Sequence, residues 1–169
     1  FKVVKDMIGL TGTNGFLAKY IKRRLEDKFY ETIDLDPIAR NLLSRPKNTS
    51  DIYRNLNWIF HFGAKTNIEK SIKDPFEVYF NNFKSTLSIV ELAKLTNSKI
   101  LFLSSYIYGK PQYFPVDEHH PIRPTNPYMA SKWISEQVCS NISSQYRIPL
   151  IIFRLFNVYG PGLSKGRLI

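Results

Sequence analysis

The sequence predicts an α/β domain of the doubly wound type, in which helices cover both faces of a parallel sheet. Short apolar runs of four to six residues alternate with helical stretches, which is the pattern of βαβ units. The runs are continuously apolar, as expected of strands that are buried on both faces. The length of 169 residues corresponds to one domain, since domains commonly hold about 100–200 residues.

The first half of the chain contains three of the predicted strands. Residues 7–10, 32–35 and 58–62 are the apolar runs. Between the first two runs, apolar side chains recur at the spacing of one helix face, at Phe16, Leu17, Tyr20, Ile21 and Leu25. A helix is therefore predicted directly after the turn at 11–14.

The second half begins with a long predicted helix at 74–96. Asp74 can cap its N-terminus, and Pro75 suits the first turn, where the missing N–H has no partner to lose. The elements that follow are a strand at 100–103, a helix at 127–145 and a strand at 150–153. Ligands of doubly wound folds bind beyond the carboxyl ends of the strands, so the residues that follow each strand are the candidate site.

The net charge of +10 does not by itself identify a partner. It comes from 24 basic and 14 acidic residues, a balance that suits polyanions in general, including nucleic acids and substrates that carry phosphates. The one dense basic cluster lies at 19–28, on the solvent side of the first predicted helix. No nucleic-acid recognition motif accompanies it, so we expect a solvated helix face and no nucleic-acid partner.

Composition also narrows the expected location. The single cysteine, Cys139, cannot form an internal disulfide, and no apolar run approaches the ~18–20 residues that cross a bilayer. Residues 1–6 lack the apolar core of a signal peptide. We therefore expect a reducing, cytoplasmic location without membrane contact, and Cys139 is expected to be a small buried group on a helix.

A glycine-containing turn at 11–18 joins the first strand to the first helix. Gly12 and Gly15 allow the backbone to turn tightly and to approach a ligand. The helix that follows offers free N–H groups and the positive end of its dipole to an anion above the turn. A plain glycine turn is the alternative, but the strand before it and the helix after it favour a pyrophosphate site and dinucleotide binding.

An acidic residue follows the second strand, where it can contact the adenine ribose of a dinucleotide. A carboxylate at Asp36 can accept both ribose hydroxyls and repels a 2′-phosphate, which favours NAD over NADP. Asp34 is a second carboxylate nearby, and Arg40 is close enough to weaken the distinction. NAD is the expected cofactor, and NADP is the alternative.

Three side chains form the predicted catalytic set. Tyr128 and Lys132 are four residues apart, so they share one face of the helix at 127–145. A phenol with a pKa of about 10 is a poor base at neutral pH, and a neighbouring ammonium lowers that pKa. Ser104, at the end of a strand, can bind the same substrate oxygen and complete a proton relay beside a hydride acceptor. The alternative is an ordinary Tyr–Lys pair on a helix surface.

The histidines are predicted to be structural. His61 lies within an apolar strand, as expected of a hydrogen-bonded core group. His119 and His120 follow two acidic residues in a proline-flanked loop, but no further ligand lies at a useful spacing. No metal site is therefore expected.

Taken together, these segments resemble the extended short-chain dehydrogenase/reductases, in the NAD-dependent nucleotide-sugar epimerase/dehydratase family. The resemblance covers nearly the whole chain and includes the glycine turn and the Tyr–Lys pair. The other matching segments are residues 59–64 (Ile-Phe-His-Phe-Gly-Ala), Ser71, 74–75, 79–86 and 154–162 (Arg-Leu-Phe-Asn-Val-Tyr-Gly-Pro-Gly).

The resemblance implies roles for further residues on the two sides of the site. On the cofactor side it implies Phe16, Leu17, Phe62, Gly63, Ala64, Asn82 and Phe156, the last of these near the nicotinamide. On the substrate side it implies Ser105, Tyr106 and Asn157, with Asn157 at the diphosphate. Asp51 and Ile52 resemble an adenine-contacting pair, although the stretch that holds them is shorter than is usual in the family. A helix-capping role for Asp51 is the alternative.

The two residues after Ser104 favour one reaction type within the family. Sugar 4,6-dehydratases resemble one another in having Asp-Glu there, whereas Ser105 and Tyr106 supply no carboxylate. What remains is hydride and proton exchange at one carbon, so we predict a C4 epimerase acting on a UDP-sugar such as UDP-glucose or UDP-galactose. A nucleotide-sugar reductase or dehydratase and a non-catalytic dinucleotide-binding protein are the alternatives.

The resemblance also bears on domain organisation. Residues 1–169 would form one NAD(P)-binding domain, with a substrate-binding lobe that begins near 157–169 and is otherwise largely missing. A homodimer is expected, through the two long helices at 74–96 and 127–145 or through the surface that the missing lobe would cover.

Overall fold

Five parallel strands form the central sheet. The computed structural model describes residues 6–40 and 53–163, and its strands are β1 (Met7–Thr11), β2 (Glu31–Asp34), β3 (Leu56–His61), β4 (Lys99–Ser105) and β5 (Leu150–Leu155). Every neighbouring pair is parallel, in the order β2-β1-β3-β4-β5. The predicted doubly wound class is confirmed, and β4 and β5 continue two residues beyond their apolar runs.

Three long helices agree with the prediction, and two short ones were not predicted. The helices of the described residues are α1 (Phe16–Glu26), α2 (Asp36–Ala39), α3 (Ile68–Lys73), α4 (Pro75–Thr96) and α5 (Pro127–Tyr146). No helix in these ranges is both long enough and apolar enough to cross a membrane.

Side-chain caps fix where the long helices begin. Asp74 caps α4 by accepting a hydrogen bond from the Glu77 N–H at 3.0 Å. Asn126 caps α5 by accepting one from the Met129 N–H at 2.9 Å. Each cap satisfies a backbone donor that the helix itself leaves free. The start of α5 matters most, because it fixes the position of the predicted catalytic tyrosine.

The winding direction reverses at β1. β2 lies on one side of β1, and β3, β4 and β5 follow on the other. Because parallel crossovers are right-handed, this reversal places α1 on one face of the sheet and the α4–α5 pair on the other. The helices that follow β1 and β3 lie on opposite faces of the sheet, and a crevice lies between them beyond the carboxyl ends of the strands.

The main core lies between the sheet and the α4–α5 layer. Its buried members include Ile59, Ile100, Phe102, Ile89, Leu92 and Cys139. Each fully buried side chain of this size contributes about 1.5–3 kcal/mol through the hydrophobic effect. The core therefore fixes β3, β4 and α5, which carry most of the predicted site.

The opposite face of the sheet is less covered near β5, which forms one edge. Side chains alternate between the two faces of a strand. Leu150 and Ile152 pack against the core, whereas Ile151 and Phe153 are 43% and 48% exposed. An apolar strip therefore faces solvent on the side away from α4 and α5.

Candidate active site

A cleft of about 1220 Å³ follows the carboxyl ends of the strands. It brings together most of the residues that the sequence predicted. The predicted residues that line it are Gly12, Gly15, Phe16, Leu17, Asp36, Phe62, Gly63, Ala64, Asn82, Ser104, Ser105, Tyr128, Phe156 and Asn157. Lys132 and Tyr106 do not line it, and the Asp51–Ile52 pair lies outside the described residues.

The floor of the cleft is backbone. Gly12 has a φ of +70°, in the left-handed region, and a Cβ there would lie 2.8 Å from the amide nitrogen of Gly63. A Cβ on Gly63 would lie 3.0 Å from Oγ1 of Thr11. The turns after β1 and β3 can approach this closely because both glycines lack side chains.

The N-terminus of α1 borders this floor. Gly15 is its N-cap residue and offers no side-chain hydrogen bond, and the first turn contains no acidic residue. The first N–H groups of the helix are therefore available to an external acceptor, and the helix dipole favours an anion. This arrangement suits a pyrophosphate.

Asp36 is held against the glycine turn. β2 ends at Asp34, one residue before the predicted end at Leu35, and Asp36 is the first residue of α2. Its carboxylate accepts hydrogen bonds from the Gly12 N–H at 2.6 Å and from the N–H and hydroxyl of Thr13 at 3.2 and 3.1 Å. A carboxylate has about four acceptor positions, so capacity remains for a ribose hydroxyl. Arg40 lines the same cleft.

Ser104 presents a buried hydroxyl at the cleft. The residue is 4% exposed, and its Oγ has no hydrogen-bond partner. Leaving a buried polar atom unsatisfied costs about 1–3 kcal/mol. An oxygen of a bound cofactor or substrate could accept a hydrogen bond from this hydroxyl and remove that cost. The Ser104 hydroxyl therefore fits a ligand in the cleft.

Tyr128 and Lys132 lie on successive turns of α5 but in different surroundings. Tyr128 is partly buried and lines the cleft. Lys132 is 3% exposed, and its Nζ lies 4.3 Å from the centre of the Phe102 ring. Burial lowers the pKa of Lys132 to about 8, against the opposing effects of Cys139 and Glu136. Lys132 is therefore still mainly an ammonium at neutral pH.

Tyr106 contacts protein instead of the cleft. Its hydroxyl donates to the Gly109 carbonyl at 2.5 Å, and its ring packs edge-on against Phe156 with 4.8 Å between ring centres. Its neighbour Ser105 lines the cleft. Neither position after Ser104 brings a carboxylate to the site.

A series of hydrogen bonds through His61 connects the floor of the cleft to α4. The donor and the acceptor of each bond can be assigned. Gly63 N–H donates to Thr11 Oγ1 at 2.9 Å, and Thr86 Oγ1 donates to the Asn82 carbonyl at 2.9 Å. With the Thr86 proton so used, His61 Nε2–H donates to Thr86 Oγ1, and Thr11 donates to His61 Nδ1. Burial, with a smaller effect of Lys132, lowers the pKa of His61 to about 3. His61 is a neutral, hydrogen-bonded core group, as predicted.

The side chain of Asn82 extends this network to α5. Its Oδ1 accepts from the Lys65 N–H at 2.7 Å, and its Nδ2 donates to Ser131 Oγ at 2.9 Å. Ser131 in turn donates to the Tyr128 carbonyl at 2.7 Å. Asn82 thus ties the segment after β3 to the turn of α5 that carries Tyr128.

The sequence matches one family over nearly its whole length. Residues 8–169 match the family model described as the NAD dependent epimerase/dehydratase family. The chain belongs to this family.

Curated relatives cover more sequence than this family member does. A Methanocaldococcus jannaschii protein named "Putative UDP-glucose 4-epimerase" is 33% identical over 91% of this chain and 56% of its own length. The UDP-glucose 4-epimerase of Rhizobium meliloti is 36% identical over 65% of this chain and 34% of its own length. The chain thus spans about half the length, or less, of these relatives.

Solved structures of several enzymes share the fold of this epimerase/dehydratase family member. The UDP-glucose 4-epimerase of Thermus thermophilus in complex with NAD has a TM-score of 0.81 and 22% identity, over 94% of this chain and 57% of that one. DesIV, a dTDP-glucose 4,6-dehydratase of Streptomyces venezuelae, has a TM-score of 0.80 and 20% identity, over 92% and 57%. At these identities the likeness establishes the fold alone.

One ion pair of this family member, between a buried glutamate and a partly buried arginine, was not predicted from the sequence. Arg154 of β5 binds Glu136 of α5 through Nε, at 3.2 Å from each carboxylate oxygen, and through Nη2, at 2.6 Å from Oε1. Two signals could have revealed it. Glu136 lies one turn after Lys132 on the same helix face, and Arg154 interrupts an apolar strand, where a charge needs a partner.

The remaining candidates for chemistry are structural. His120 is buried, and its Nε2 accepts from the Gln112 N–H at 3.0 Å. Within residues 6–40 and 53–163, no group of three or more His, Cys, Asp or Glu side chains is placed to hold a metal ion. Cys139 is buried, as predicted, and burial raises the pKa of its thiol to about 12. A thiol with that pKa is a poor nucleophile at neutral pH.

Proposed function

We propose that this chain is the cofactor-binding part of a nucleotide-sugar C4 epimerase with a UDP-sugar as substrate. The observation that carries the proposal is one cleft with a glycine floor, to which Ser104 brings an unpartnered buried hydroxyl and Tyr128 a phenol. Relatives named as UDP-glucose 4-epimerases support the choice of reaction and substrate.

The cleft suits NAD. The α1 N-terminus, with Gly12 and Gly63, would hold the pyrophosphate, Asp36 would bind the adenine ribose, and Phe156 would border the nicotinamide. The charge of Asp36 opposes a 2′-phosphate, so NAD is preferred to NADP. Bound NAD supplies a reversible hydride acceptor.

The chain's own residues would manage the proton and the position of the sugar. Tyr128 takes the proton of the C4 hydroxyl as the C4 hydrogen leaves as hydride, and Ser104 donates a hydrogen bond to the same oxygen. The Lys132 ammonium, one helical turn away, favours the phenolate. Asn157 binds the diphosphate, about which the flat 4-keto sugar turns. Tyr128 would return its proton to the C4 oxygen once C4 is reduced from its opposite face, which would complete the inversion.

The residues after Ser104 support epimerisation over dehydration. Loss of water across C5 and C6 requires a general acid and a general base near those carbons. Ser105 is a neutral alcohol, and the Tyr106 hydroxyl already donates to Gly109. A 4-keto-6-deoxy product formed from UDP-glucose would overturn this part of the proposal.

Substitution of Tyr128 tests the proposed function. Tyr128→Phe removes the base but retains the ring, so turnover of UDP-glucose to UDP-galactose is expected to fall about 10²–10⁴-fold. NAD affinity, measured by calorimetry, is expected to change little. Tyr146→Phe is the matched control, because Tyr146 is half exposed at the far end of α5.

Two outcomes of that experiment would contradict the proposal. Unchanged turnover in Tyr128→Phe would remove Tyr128 from the role of base. NAD binding without conversion of any UDP-sugar by a chain that also carries the substrate-binding lobe would favour the non-catalytic dinucleotide-binding protein.

Two proposals concern organisation. We propose that residues 1–169 form the NAD-binding domain and that the substrate-binding lobe begins near 157–169, of which 164–169 lie outside the described residues. Pro161 accepts a hydrogen bond from the Tyr20 hydroxyl at 2.5 Å, so this segment passes over α1 beside the cleft. We further propose a homodimer through the exposed apolar face of α4 and α5.

A further inference from the structure

Three residues of α5 follow one another at intervals of four, and the acidic one pairs with a residue outside the helix. Tyr128, Lys132 and Glu136 share one helix face, and Lys132 and Glu136 are both at most 3% exposed. A lysine and a glutamate at this spacing are within reach of each other, although the order with the lysine first is the weaker one. Here, the carboxylate pairs with Arg154 at 2.6 Å, and no ion pair within 4.0 Å joins it to Lys132.

Arg154 is firmly placed for this contact. Its Nη1 donates to the Tyr108 hydroxyl at 3.0 Å and to the Glu118 carbonyl at 3.3 Å, while Nε and Nη2 face Glu136. The planar guanidinium thus binds the carboxylate through two nitrogens and the loop after β4 through a third. A lysine, which is flexible and has one charged nitrogen, would not hold the carboxylate in one orientation.

Two titratable groups near Lys132, His61 and Cys139, carry no charge at neutral pH. His61 of β3 faces Lys132 and has a pKa of about 3, and Cys139 of α5 has a pKa of about 12. β4 contributes the Phe102 ring, and Tyr128 lies one turn earlier on α5. Burial has the largest effect on Lys132, and Glu136, which pairs with Arg154, is the acidic group on the same helix face that carries a charge near it.

We propose that Arg154 is a positioning residue that binds Glu136 and thereby keeps this carboxylate from pairing with the Lys132 ammonium. The claim that the Lys132 ammonium supports the Tyr128 phenolate rests on the proposed function. The claim that Arg154 keeps Glu136 from pairing with Lys132 rests on the geometry of the Arg154–Glu136 ion pair alone. Without Arg154, the buried carboxylate would have Lys132 as its nearest cation, and Lys132 would no longer serve Tyr128.

The proposal predicts the direction of the pKa change for three variants. In Arg154→Met, an unneutralised Glu136 raises the Lys132 midpoint by about 1–3 pH units, the range for an opposite charge at close distance. In Glu136→Gln, the unneutralised Arg154 lowers the midpoint. In the double variant both charges are absent, so the midpoint returns to that of the unsubstituted chain.

The titration is followed by NMR of the whole chain labelled with 13C at lysine Cε, and Lys132→Met identifies the Lys132 signal. Circular dichroism and amide spectra establish that each variant is folded. This readout needs neither NAD nor turnover, so its failure is distinguishable from failure of the proposed function. Should Arg154→Met not fold, Arg154→Lys, which loses the two-nitrogen contact, is expected to raise the midpoint by a smaller amount.

Opposite shifts in the two single variants and restoration in the double variant would support the proposal, since a packing defect would not reverse sign with charge. An unchanged Lys132 midpoint in folded Arg154→Met and Arg154→Lys, or shifts of the same sign in both single variants, would overturn it.

Discussion

At the scale of single residues, the site depends on a few buried polar groups whose hydrogen-bond donors and acceptors can be assigned. His61 must be neutral, because its Nδ1 accepts from Thr11 while its Nε2–H donates to Thr86. Protonation would place a donor opposite the Thr11 hydroxyl and a charge in the core. The network from Gly63 to Asn82 therefore depends on pH through one imidazole.

His61 is predicted to make the fold sensitive to acid. Its pKa is about 3 in the folded chain and about 6.5 when unfolded, so the unfolded state binds the proton first as pH falls. The contribution is complete above about pH 6.5 and is lost between pH 6.5 and 3. Between pH 7 and 5, the free energy of unfolding is expected to fall by about 2 kcal/mol from this group alone.

Urea unfolding at pH 7 and pH 5 checks this expectation. His61→Asn should lose about 2 kcal/mol less over this interval than the unsubstituted chain, even though it is less stable at pH 7. His119→Asn is the control, since His119 is exposed, and its pH dependence should be unaltered. Equal losses in all three proteins would show that His61 does not carry the effect.

At the scale of structural elements, the approach of two turns creates the floor of the cleft. The turn after β1 contacts the turn after β3 through Gly12 and Gly63. Neither turn has room for a side chain at the contact. The geometry of the proposed pyrophosphate site is therefore set by backbone packing, so we expect cofactor binding and stability to respond together to a change there.

Gly12→Ala is predicted to impair both properties. The new methyl meets backbone at 2.8 Å in a left-handed conformation, which adds about 1–3 kcal/mol of overpacking to about 1–2 kcal/mol of backbone strain. Gly162→Ala is the control, because Gly162 also has a positive φ, but among the described residues no atom beyond its two chain neighbours lies within 4 Å of the position that the new methyl would take. Unfolding free energies and NAD affinity are measured for both, and equal destabilisation would contradict the argument.

The elements differ in how much of them the sequence could predict. Strands and long helices were predictable because apolar continuity, helical spacing and the caps Asp74 and Asn126 are local signals. α2 and α3, of four and six residues, are too short to show a periodicity. The end of β2 was placed one residue late, because the apolar Leu35 continues the pattern while its backbone already leads into α2.

Which residues line the cleft could be predicted from the sequence, but the orientation of their side chains could not. The spacing of Tyr128 and Lys132 and the position of Ser104 are properties of the sequence. That Lys132 lies over Phe102 and that Tyr106 bonds to Gly109 depend on packing among separate elements. The pairing of Arg154 with Glu136 joins a strand to a helix, and no local pattern specifies it.

At the scale of the whole molecule, apolar surfaces are exposed on the α4–α5 face and on β5 within the part of the chain that the structure describes. The outer face of α4 and α5 carries Phe76, Phe80, Phe83, Trp133 and Ile134, which are 36–84% exposed. An apolar groove of about 250 Å³ lies among several of them. Contiguous apolar patches of this kind mark association surfaces, and a second copy would bury this one symmetrically.

Phe80→Glu tests the homodimer. Burying an unpaired carboxylate in the interface costs several kcal/mol, so the variant is expected to sediment as a monomer at concentrations where the unsubstituted chain is a dimer. Phe29→Glu is the control, because Phe29 is also exposed but follows α1 on the other face of the sheet. A clean monomer for the unsubstituted chain at high concentration would refute the dimer.

The uncovered strip on β5 has a consequence for how the protein behaves in solution. Copies that could meet through Ile151 and Phe153 are kept apart by the net charge of +10. That repulsion reaches about 10 Å at 0.1 M ionic strength and about 3 Å at 1 M. Sulfate also strengthens apolar attraction. Light scattering should therefore show dispersed particles in dilute buffer and growing assemblies in ammonium sulfate, and Phe153→Lys should delay their onset.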